Sequence, residues 1–405
     1  MTNKRKIIND PVFGFITIPT DFIYDLLQHP YLNRLSRIKQ LGLTHYVYPG
    51  TQHNRLQHSL GAMFLMTEAV KTLQGKGVEI TDEEAEAVYA AILLHDIGHG
   101  PFSHALEGFF FDQTSHEELG LHIIERLNRT FNGRLDLTLD ILRDRYPKHY
   151  LHDLVSGQLD MDRLDYLRRD SFFSGVSEGN IGSARIIKML NIKDGKLVVD
   201  AKGIYSIENF LMSRRLMYWQ VYLHKTTHAA DVMLQKTLYR ARYDAGRDLP
   251  ACCSAPLAYF MPAARPEVTD EALDAFLQLD DSDIWVAMKA WCRSDDKILS
   301  LLADGIVNRH IFRVHVSNRP IADKTVEDCL TELQETLHIS REDSNYLYSL
   351  QARANHLYND NGTAIDILFS DGTVKNIAEA SDMFNINLLA RKNTKYYFCH
   401  YRLDK

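Results

Sequence analysis

The sequence has few cysteines, few prolines and no long hydrophobic run. An odd number of cysteines without CxxC spacing is typical of reduced thiols in a cytoplasm. Only 11 prolines are present, with no Pro-, Ser- or Gly-rich tract, which argues against a long flexible linker. The longest central apolar run, 90–94, is too short to cross a membrane, and the first residues carry no apolar signal segment. We therefore expect a cytoplasmic protein without a membrane partner. The five cysteines are Cys252, Cys253, Cys292, Cys329 and Cys399.

Positive charge is also scarce. The formal net charge is −7, whereas a general nucleic-acid binder is expected to be basic. A nucleic-acid partner is therefore not expected, but a small anionic ligand needs only a local basic cluster. Hydrophobic residues make up 45% of the chain and charged residues 24%, which is an ordinary globular balance. The length of 405 residues predicts two or three domains.

Helical patterns dominate the first 240 residues. Between residues 21 and 40 the apolar positions recur at intervals of three and four, with a break near His29-Pro30. Thr81 and Glu84 have the spacing of a capping box at the start of a helix. Further helices are predicted over residues 103–111, 116–129, 151–169 and 204–241.

Strand patterns lie at the beginning of the chain and in its last third. A short hairpin or extended arm is predicted over residues 5–19, and a second hairpin over residues 196–207, after a turn at Asp194-Gly195. Alternating patterns predict strands at 311–317 and 395–401, and a pair of strands within 363–377. The predicted fold is therefore mainly α. It has a helical catalytic domain with a short N-terminal β arm (residues 1–245) and a smaller C-terminal α+β region (residues 246–405).

Histidines are concentrated in one part of the helical region. Six of the 18 histidines lie there, namely His53, His58, His95, His99, His104 and His116. Histidines crowd where an imidazole serves as a metal ligand or a proton carrier. His95 is followed by Asp96 at the end of the helix that Thr81 begins, and a divalent metal accepts mixed imidazole and carboxylate ligands. An isolated His-Asp pair would be a weak signal.

This pair is not isolated. A histidine, then His-Asp, then a distant aspartate is the ligand order of the HD superfamily. Residues 6–225 closely resemble the deoxynucleoside triphosphate triphosphohydrolases of that superfamily, of the SAM-and-HD-domain type. The matching strings are NDPVFG (9–14), RIKQLG (37–42), VYPGTQHNRLQHSLG (47–61), LLHDIGHGPFSHALE (93–107), SHEE (115–118), DMDRLDYLRRD (160–170) and YLHK (222–225).

The resemblance implies a metal site and a set of catalytic residues. The implied cofactor is one divalent ion, for which Mn, Fe, Mg, Ni, Zn and Co all stay open. Such an ion lowers the pKa of a bound water from about 15.7 toward 7 and polarises a phosphoryl group. The implied metal ligands are His58, His95, Asp96 and Asp162. The implied catalytic residues are His104 and His116, with Glu107 and Glu117 beside them.

The resemblance also implies a substrate-binding set. Arginine grips phosphate oxygens through a planar fork of donors. The implied phosphate contacts are Arg55, His99, Arg163 and Arg214. The implied deoxyribose contacts are Gln40, Leu41, Tyr166, Asp170 and Tyr222. Leu41 and Tyr222 resemble a pair that leaves no room for a 2′-hydroxyl, which would disfavour ribonucleotides. Simple core packing is the alternative for Leu41, Tyr166 and Tyr222.

Three functions stay open at this point. The first is a metal-dependent hydrolase that splits a deoxynucleoside triphosphate into deoxynucleoside and triphosphate. The second is an HD phosphohydrolase acting on nucleoside monophosphates or other phosphorylated nucleotides, and the third is a nucleotide-sensing module without catalysis. The resemblance further implies a homo-oligomer, either a dimer or a tetramer. Gln28 and Ser36 replace the charged residues of the family's guanine activator site, so a guanine activator is not expected there, while another nucleotide activator stays open.

Overall fold

The structure, a computed structural model, describes residues 6–244, 253–262, 264–355, 365–382 and 393–403. Cys252 and the predicted domain boundary at residues 245 and 246 lie outside these residues. The described part of the chain is mainly helical, with an N-terminal two-stranded sheet and a C-terminal α+β region, so the predicted fold class is confirmed.

The chain opens with the predicted hairpin. Strands β1 (Ile7–Asp10) and β2 (Gly14–Thr17) pair in antiparallel register. The Asp10 carboxylate accepts hydrogen bonds of 2.9 Å from the backbone N–H groups of Val12 and Phe13, which closes the turn. Helices α1 (Asp21–Gln28) and α2 (Pro30–Asn33) follow, and the break between them lies at Pro30, as predicted.

A bundle of longer helices forms the body of the protein. Capping boxes begin α3 (Arg55–Gly75), through Asn54 and Gln57, and α4 (Asp82–Leu94), through Thr81 and Glu84. Buried residues lie on all sides of α3, which therefore forms the centre of the bundle and packs against α4 and α8 (Met161–Ser174). The helices are α3 (Arg55–Gly75), α4 (Asp82–Leu94), α5 (His116–Thr130), α6 (Asp136–Leu142), α7 (Tyr150–Ser156), α8 (Met161–Ser174), α9 (Ser183–Met189), α10 (Ile204–Met217) and α11 (Lys225–Asp244).

Three predicted helices were wrong in part. Residues 103–111 form only a short 3-10 turn, Ser103–Leu106, because the backbone enters it in a left-handed conformation. The helix predicted over 151–169 is interrupted between α7 and α8, where Asp160 caps the start of α8. The helix predicted over 204–241 changes into a π-helical turn, Tyr218–Tyr222, before α11 begins.

The second predicted hairpin was wrong in part, because the predicted turn at Asp194 and Gly195 is confirmed but only residues 196–200 of the predicted range form a strand. Strand β4 (Lys196–Asp200) pairs with β3 (Leu190–Lys193), the strand that precedes it in the chain, and residues from Ile204 onward are helical. Asp194 and Gly195 supply the turn with φ values of 51° and 77°. A two-residue turn with both φ values positive matches the twist of a hairpin, so the chain turns before residue 196 and not after it.

The described part of the C-terminal region begins with helices, and strands alternate with helices after them. The predicted strands are confirmed: β5 (Arg313–Ser317) pairs with β9 (Asn393–His400), and β7 (Asp366–Leu368) pairs with β8 (Val374–Asn376). Strand β6 (Tyr348–Asn355), which was not predicted, pairs with the other side of β9 and completes an antiparallel sheet. The elements are α12 (Ala255–Tyr259), α13 (Asp270–Phe276), α14 (Asp281–Trp291), α15 (Lys297–Val307), β5 (Arg313–Ser317), α16 (Asp323–Leu337), α17 (Arg341–Ser344), β6 (Tyr348–Asn355), β7 (Asp366–Leu368), β8 (Val374–Asn376), α18 (Ile377–Ala380) and β9 (Asn393–His400).

The C-terminal region contacts the helical body closely. Strand β7 adds in parallel to β4 of the body. The Asp281 carboxylate accepts hydrogen bonds from the backbone N–H groups of Lys39, at 2.9 Å, and Phe102, at 2.8 Å. The division of the chain at residue 245 stays a prediction. Among the described helices, none is both long and apolar enough to span a membrane.

Candidate metal centre and active site

Three side chains from three helices meet at one point. His58 lies on α3, His95 is the C-terminal cap of α4, and Asp162 lies in the first turn of α8. The Nε2 atom of His58 is 3.3 Å from Nε2 of His95 and 3.1 Å from a carboxylate oxygen of Asp162. Nε2 of His95 is 3.5 Å from the same oxygen. These three residues could hold a metal ion.

Asp96 completes the cluster. Its two carboxylate oxygens lie 3.7 Å from Nε2 of His58 and 3.4 Å from Nε2 of His95. Arg55 donates a hydrogen bond of 2.5 Å to the same carboxylate. Burial alone would raise the pKa of Asp96, but Arg55 and the histidines hold it well below its ordinary value. The four side chains predicted as metal ligands therefore converge, and Asp96 is ionised.

The hydrogen-bond partners of the two imidazole rings indicate that this cluster suits a cation. Nδ1 of His58 donates to the carboxylate of Asp165 at 2.7 Å, and Nδ1 of His95 donates to the Ile92 carbonyl at 2.6 Å. In the neutral rings, both Nε2 lone pairs then face each other and two carboxylates. Burial lowers the pKa of His58, but Asp162 and Asp165 raise it to about 10, which shows how strongly the cluster attracts positive charge. Two imidazoles and two carboxylates fit a divalent transition metal.

A buried chain of charges holds His58 in this orientation. Asp165 pairs side-on with Arg169, whose Nε and Nη2 atoms each lie 2.9 Å from a carboxylate oxygen. Arg169 also donates to Asp10 at 2.7 Å, in the N-terminal hairpin. Gly61 makes room for the pair, because a Cβ atom there would lie 1.9 Å from an oxygen of Asp165. The hairpin is thus connected to a metal-ligand candidate through hydrogen bonds.

A second group of side chains surrounds Glu107. Its carboxylate accepts a hydrogen bond of 2.7 Å from Nδ1 of His116 and lies 3.2 Å from Nδ1 of His104. These two histidines hold the pKa of Glu107 well below its ordinary value. His99 stacks on His116 with ring centroids 4.0 Å apart and reaches Asp96 at 3.4 Å, so it connects this group with the metal cluster.

The comparisons with known proteins agree with this geometry. The HD domain family matches residues 55–169, and the HD associated region matches residues 181–249. A solved structure named a phosphohydrolase, from Bacteroides thetaiotaomicron, is 54% identical, covers 98% of this chain and 100% of its own, and superposes with a TM-score of 0.95. The chain belongs to the HD-domain phosphohydrolase family.

Other relatives are more distant. The uncharacterised protein YwfO of Bacillus subtilis is 31% identical over 413 residues, which cover 98% of this chain and 92% of the relative. A Dictyostelium discoideum protein named deoxynucleoside triphosphate triphosphohydrolase SAMHD1 homolog is 30% identical over 252 residues. That match covers 57% of this chain and 48% of the relative, so the similarity to it extends over about half of its length. The predicted resemblance is confirmed at the level of the family.

In this HD-domain phosphohydrolase, a strained turn positions His104. Phe102 and Ser103 have φ values of 53° and 51°, which place two successive side-chain-bearing residues in the left-handed region. Such backbone costs free energy and persists only where the surroundings fix it. The Asp281 carboxylate fixes it by accepting the N–H of Phe102, and Arg55 donates to the Ser103 hydroxyl at 2.7 Å.

Glu117 differs from the other predicted catalytic residues. Its side chain is exposed in the first turn of α5, and no hydrogen bond or ion pair joins it to His104 or His116 in the described structure. Glu107 takes the position between the two histidines instead. Glu107 and His104 meet across the end of the 3-10 turn.

Of the four predicted phosphate contacts, two lie beside the metal cluster and two are bound to other protein groups. Arg55 and His99 are buried beside Asp96. Arg163 is half-buried and pairs with Asp160, and it also donates to the Gly157 carbonyl at 2.6 Å. Arg214 donates to the Gln158 side chain at 3.2 Å. Arg163 and Arg214 therefore already have protein partners, and a triphosphate would have to compete for these donors.

The predicted sugar contacts form a hydrogen-bonded group around Asp170. Tyr222 donates to Asp170 at 2.8 Å, and His53 lies 2.8 Å from the other carboxylate oxygen. Tyr166 packs edge-on against Tyr222 with ring centroids 6.0 Å apart. Gln40 is half-buried, and its side-chain oxygen has no hydrogen-bond partner among the described residues. Leu41 is half-buried and, like Tyr222, packs against the hydrophobic core.

The sequence analysis missed several residues of the site. Asp165 and Arg169 lie within the string DMDRLDYLRRD, but their roles depend on which side chains they meet on α3 and in the hairpin. His53 is one of the six clustered histidines, and the sequence assigned no role to it. In the structure it contacts the carboxylate of Asp170. All assigned roles of individual site residues stay predictions.

Proposed function

We propose that this HD-domain phosphohydrolase hydrolyses deoxynucleoside triphosphates to deoxynucleoside and inorganic triphosphate. The observation that carries the proposal is the order of three predicted groups along α8 and the adjacent turn that contains Tyr222. These groups are the metal ligands, the sugar contacts and the catalytic residues. Asp162 belongs to the metal cluster, Asp170 binds Tyr222 two turns further along, and Tyr222 shares a cavity with His104 and Glu107. The name of the Dictyostelium relative supports the same substrate class.

The residues of the chain would divide the reaction between them. His58, His95, Asp96 and Asp162 would hold a divalent ion, which when bound lowers the pKa of water and polarises the phosphoryl group. Water attacks the α-phosphorus, the bond to the 5′ oxygen breaks, and that oxygen takes up a proton. His104 carries this proton, since its ring is exposed toward the cavity and fixed at Nδ1 by Glu107.

Replacing Glu107 with glutamine is expected to lower kcat roughly 100-fold, because general acid catalysis of this size needs an oriented imidazole. Glu107 is ionised throughout the neutral range because its pKa is depressed by His104 and His116. The charge is lost only as the pH falls through that low value. The variant should therefore change the kcat-pH profile near neutrality while KM changes little.

The matched control is Glu118→Gln, an exposed glutamate in the first turn of α5. It removes one carboxylate close to His116 without touching the predicted site. Initial rates from pH 5.5 to 9 would be measured for both variants. Equal profiles for Glu107→Gln and Glu118→Gln would contradict the role of Glu107.

The product assay tests the function itself. The purified protein is incubated with each divalent metal, the four dNTPs and the four NTPs, and the products are separated by anion exchange. We expect inorganic triphosphate and deoxynucleoside from the dNTPs, with little turnover of NTPs, because Leu41 and Tyr222 are predicted to leave no room for a 2′-hydroxyl. Single phosphate released from nucleoside monophosphates alone would overturn the proposal. The predicted homo-oligomer, nucleotide activator and cytoplasmic location stay predictions.

A further inference from the structure

A cavity of about 420 Å³ continues from the catalytic group toward the C-terminal sheet. One end is lined by His104, Glu107 and Tyr222. The other end is lined by residues of α11 and of β6, which the proposed reaction does not use. Its volume is in the range of small-ligand sites in proteins. The polar residues at this end are His228, Asp231, Gln235 and Arg353.

Two of these side chains carry polar atoms that have no hydrogen-bond partner among the described residues. His228 is only 7% exposed, and its Nε2 atom has no hydrogen bond among the described residues. Asp231 lies one turn further along α11, and the described structure records no hydrogen bond or ion pair for its carboxylate. Leaving such groups unpaired costs stability, and the cost is typical of sites that meet a ligand.

Arg353 adds a cation to the same cavity without neutralising Asp231. The two side chains line the cavity from β6 and from α11, and no ion pair within 4.0 Å is recorded between them. Burial raises the pKa of Asp231 to about 7, and Arg353 opposes that shift. Gln235 is different, because it donates to the Ala105 carbonyl at 2.6 Å and so holds α11 against the turn that carries His104.

The position of the cavity relative to Tyr222 indicates what it would hold. In the proposed function, Tyr222 and Asp170 contact the deoxyribose. The cavity therefore begins at the position where the attached base would extend from the sugar. We propose that Asp231, His228 and Arg353 select the nucleobase and favour guanine. This inference rests on the proposed function, and it adds the residues that choose among its substrates.

Guanine matches this set of groups better than the other bases do. Its N1–H and its 2-amino group are adjacent donors, and a carboxylate has two acceptor oxygens. Its O6 and N7 atoms are acceptors of the kind that a guanidinium binds with two hydrogen bonds. Adenine and cytosine each offer a single amino group, and thymine offers one imide N–H between two carbonyls. Only guanine therefore satisfies both Asp231 and Arg353 through paired hydrogen bonds.

The test compares the wild type, Asp231→Asn and Glu335→Gln by two measurements. Asparagine keeps the size of the side chain but replaces one acceptor by a donor, which opposes a guanine N–H group. Glu335 is an exposed carboxylate on α16 that does not line the cavity, and it is the matched control. The first measurement is kcat/KM for each dNTP with the metal that gives the highest rate. The second is the Kd of dGTP and of dATP by calorimetry without added metal.

The wild type is expected to prefer dGTP in both measurements. Asp231→Asn should lower the ratio of dGTP to dATP about 10- to 100-fold, and Glu335→Gln should leave that ratio unchanged. Arg353→Gln should reduce the same ratio, which provides a second variant at an exposed position where folding is not at risk.

Equal Kd values for dGTP and dATP in the wild type would overturn this inference, as would an Asp231→Asn variant that weakens both nucleotides equally. These outcomes do not depend on turnover. The absence of triphosphate as a product from any dNTP would instead overturn the proposed function. If the protein binds dGTP more tightly than dATP but releases no triphosphate, the result would support base selection by Asp231, His228 and Arg353 and not the proposed function.

Discussion

Replacing Asp162 with alanine is expected to abolish stable metal binding and to lower kcat at least about 1000-fold, since a metal ion supplies several kcal/mol of stabilisation to the transition state. One oxygen of Asp162 lies 3.1 Å from Nε2 of His58 and 3.5 Å from Nε2 of His95, so this single atom faces both imidazoles. Without it, two ring nitrogens and Asp96 remain. Calorimetric titration with each divalent metal and initial rates on dNTPs measure the two effects.

This substitution separates function from folding better than one at Asp96 does. The side chain of Asp162 is 27% exposed, and Asp160 rather than Asp162 caps α8. Loss of Asp96 would leave Arg55 as an unpaired buried cation, which is strongly destabilising. The matched control is Asp82→Ala, which removes an exposed carboxylate from the first turn of α4 and costs about 0.3–1 kcal/mol at most. Metal binding and turnover that survive in Asp162→Ala would refute the metal site.

Replacing Asp165 with asparagine is expected to weaken metal binding about 10- to 100-fold, the usual cost of losing the carboxylate behind a metal-bound histidine. Asp165 accepts Nδ1–H of His58 at 2.7 Å and so directs Nε2 toward the cluster. An asparagine can still accept that proton, but its amide group then faces the guanidinium of Arg169. The ring becomes less basic and less firmly oriented.

The level of free metal distinguishes this positioning role from direct ligation. At saturating metal, kcat of Asp165→Asn should return to within a few-fold of the wild type, whereas Asp162→Ala should stay inactive. A lower melting temperature is also expected, because Arg169 keeps only Asp10 as a full counter-charge. The idea fails if Asp165→Asn binds metal as tightly as the wild type while its melting temperature falls.

The metal cluster could be predicted because its ligands lie in distinctive strings at fixed positions. His58, His95-Asp96 and Asp162 need only the order of the family to be brought together. The chain Asp165–Arg169–Asp10 could not be predicted in the same way. Its members lie on α8 and in the N-terminal hairpin, and nothing local in the sequence indicates that a buried guanidinium joins them.

The incorrect predictions of secondary structure have a similar cause. The stretch after Pro101 is apolar enough to suggest a helix, but the left-handed residues Phe102 and Ser103 prevent one. That conformation is held by Asp281, which lies 179 residues further along the chain from Phe102. Likewise, β4 pairs with β3 on one side and with β7 on the other. The alternating polar and apolar residues at 196–207 therefore include a strand that lies between two partners, and do not form a hairpin of their own. Local patterns do not contain such distant contacts.

The Asp281 contacts also have a consequence for how the protein matures. A ribosome that adds about 5–20 residues per second needs roughly 10–40 s to pass from Phe102 to Asp281. During this interval the nascent helices α3 and α4 can already bring His58 and His95 together. The turn that carries His104 has no acceptor for its N–H group until α14 emerges. Metal capture can therefore precede catalytic competence while the protein is still being synthesised.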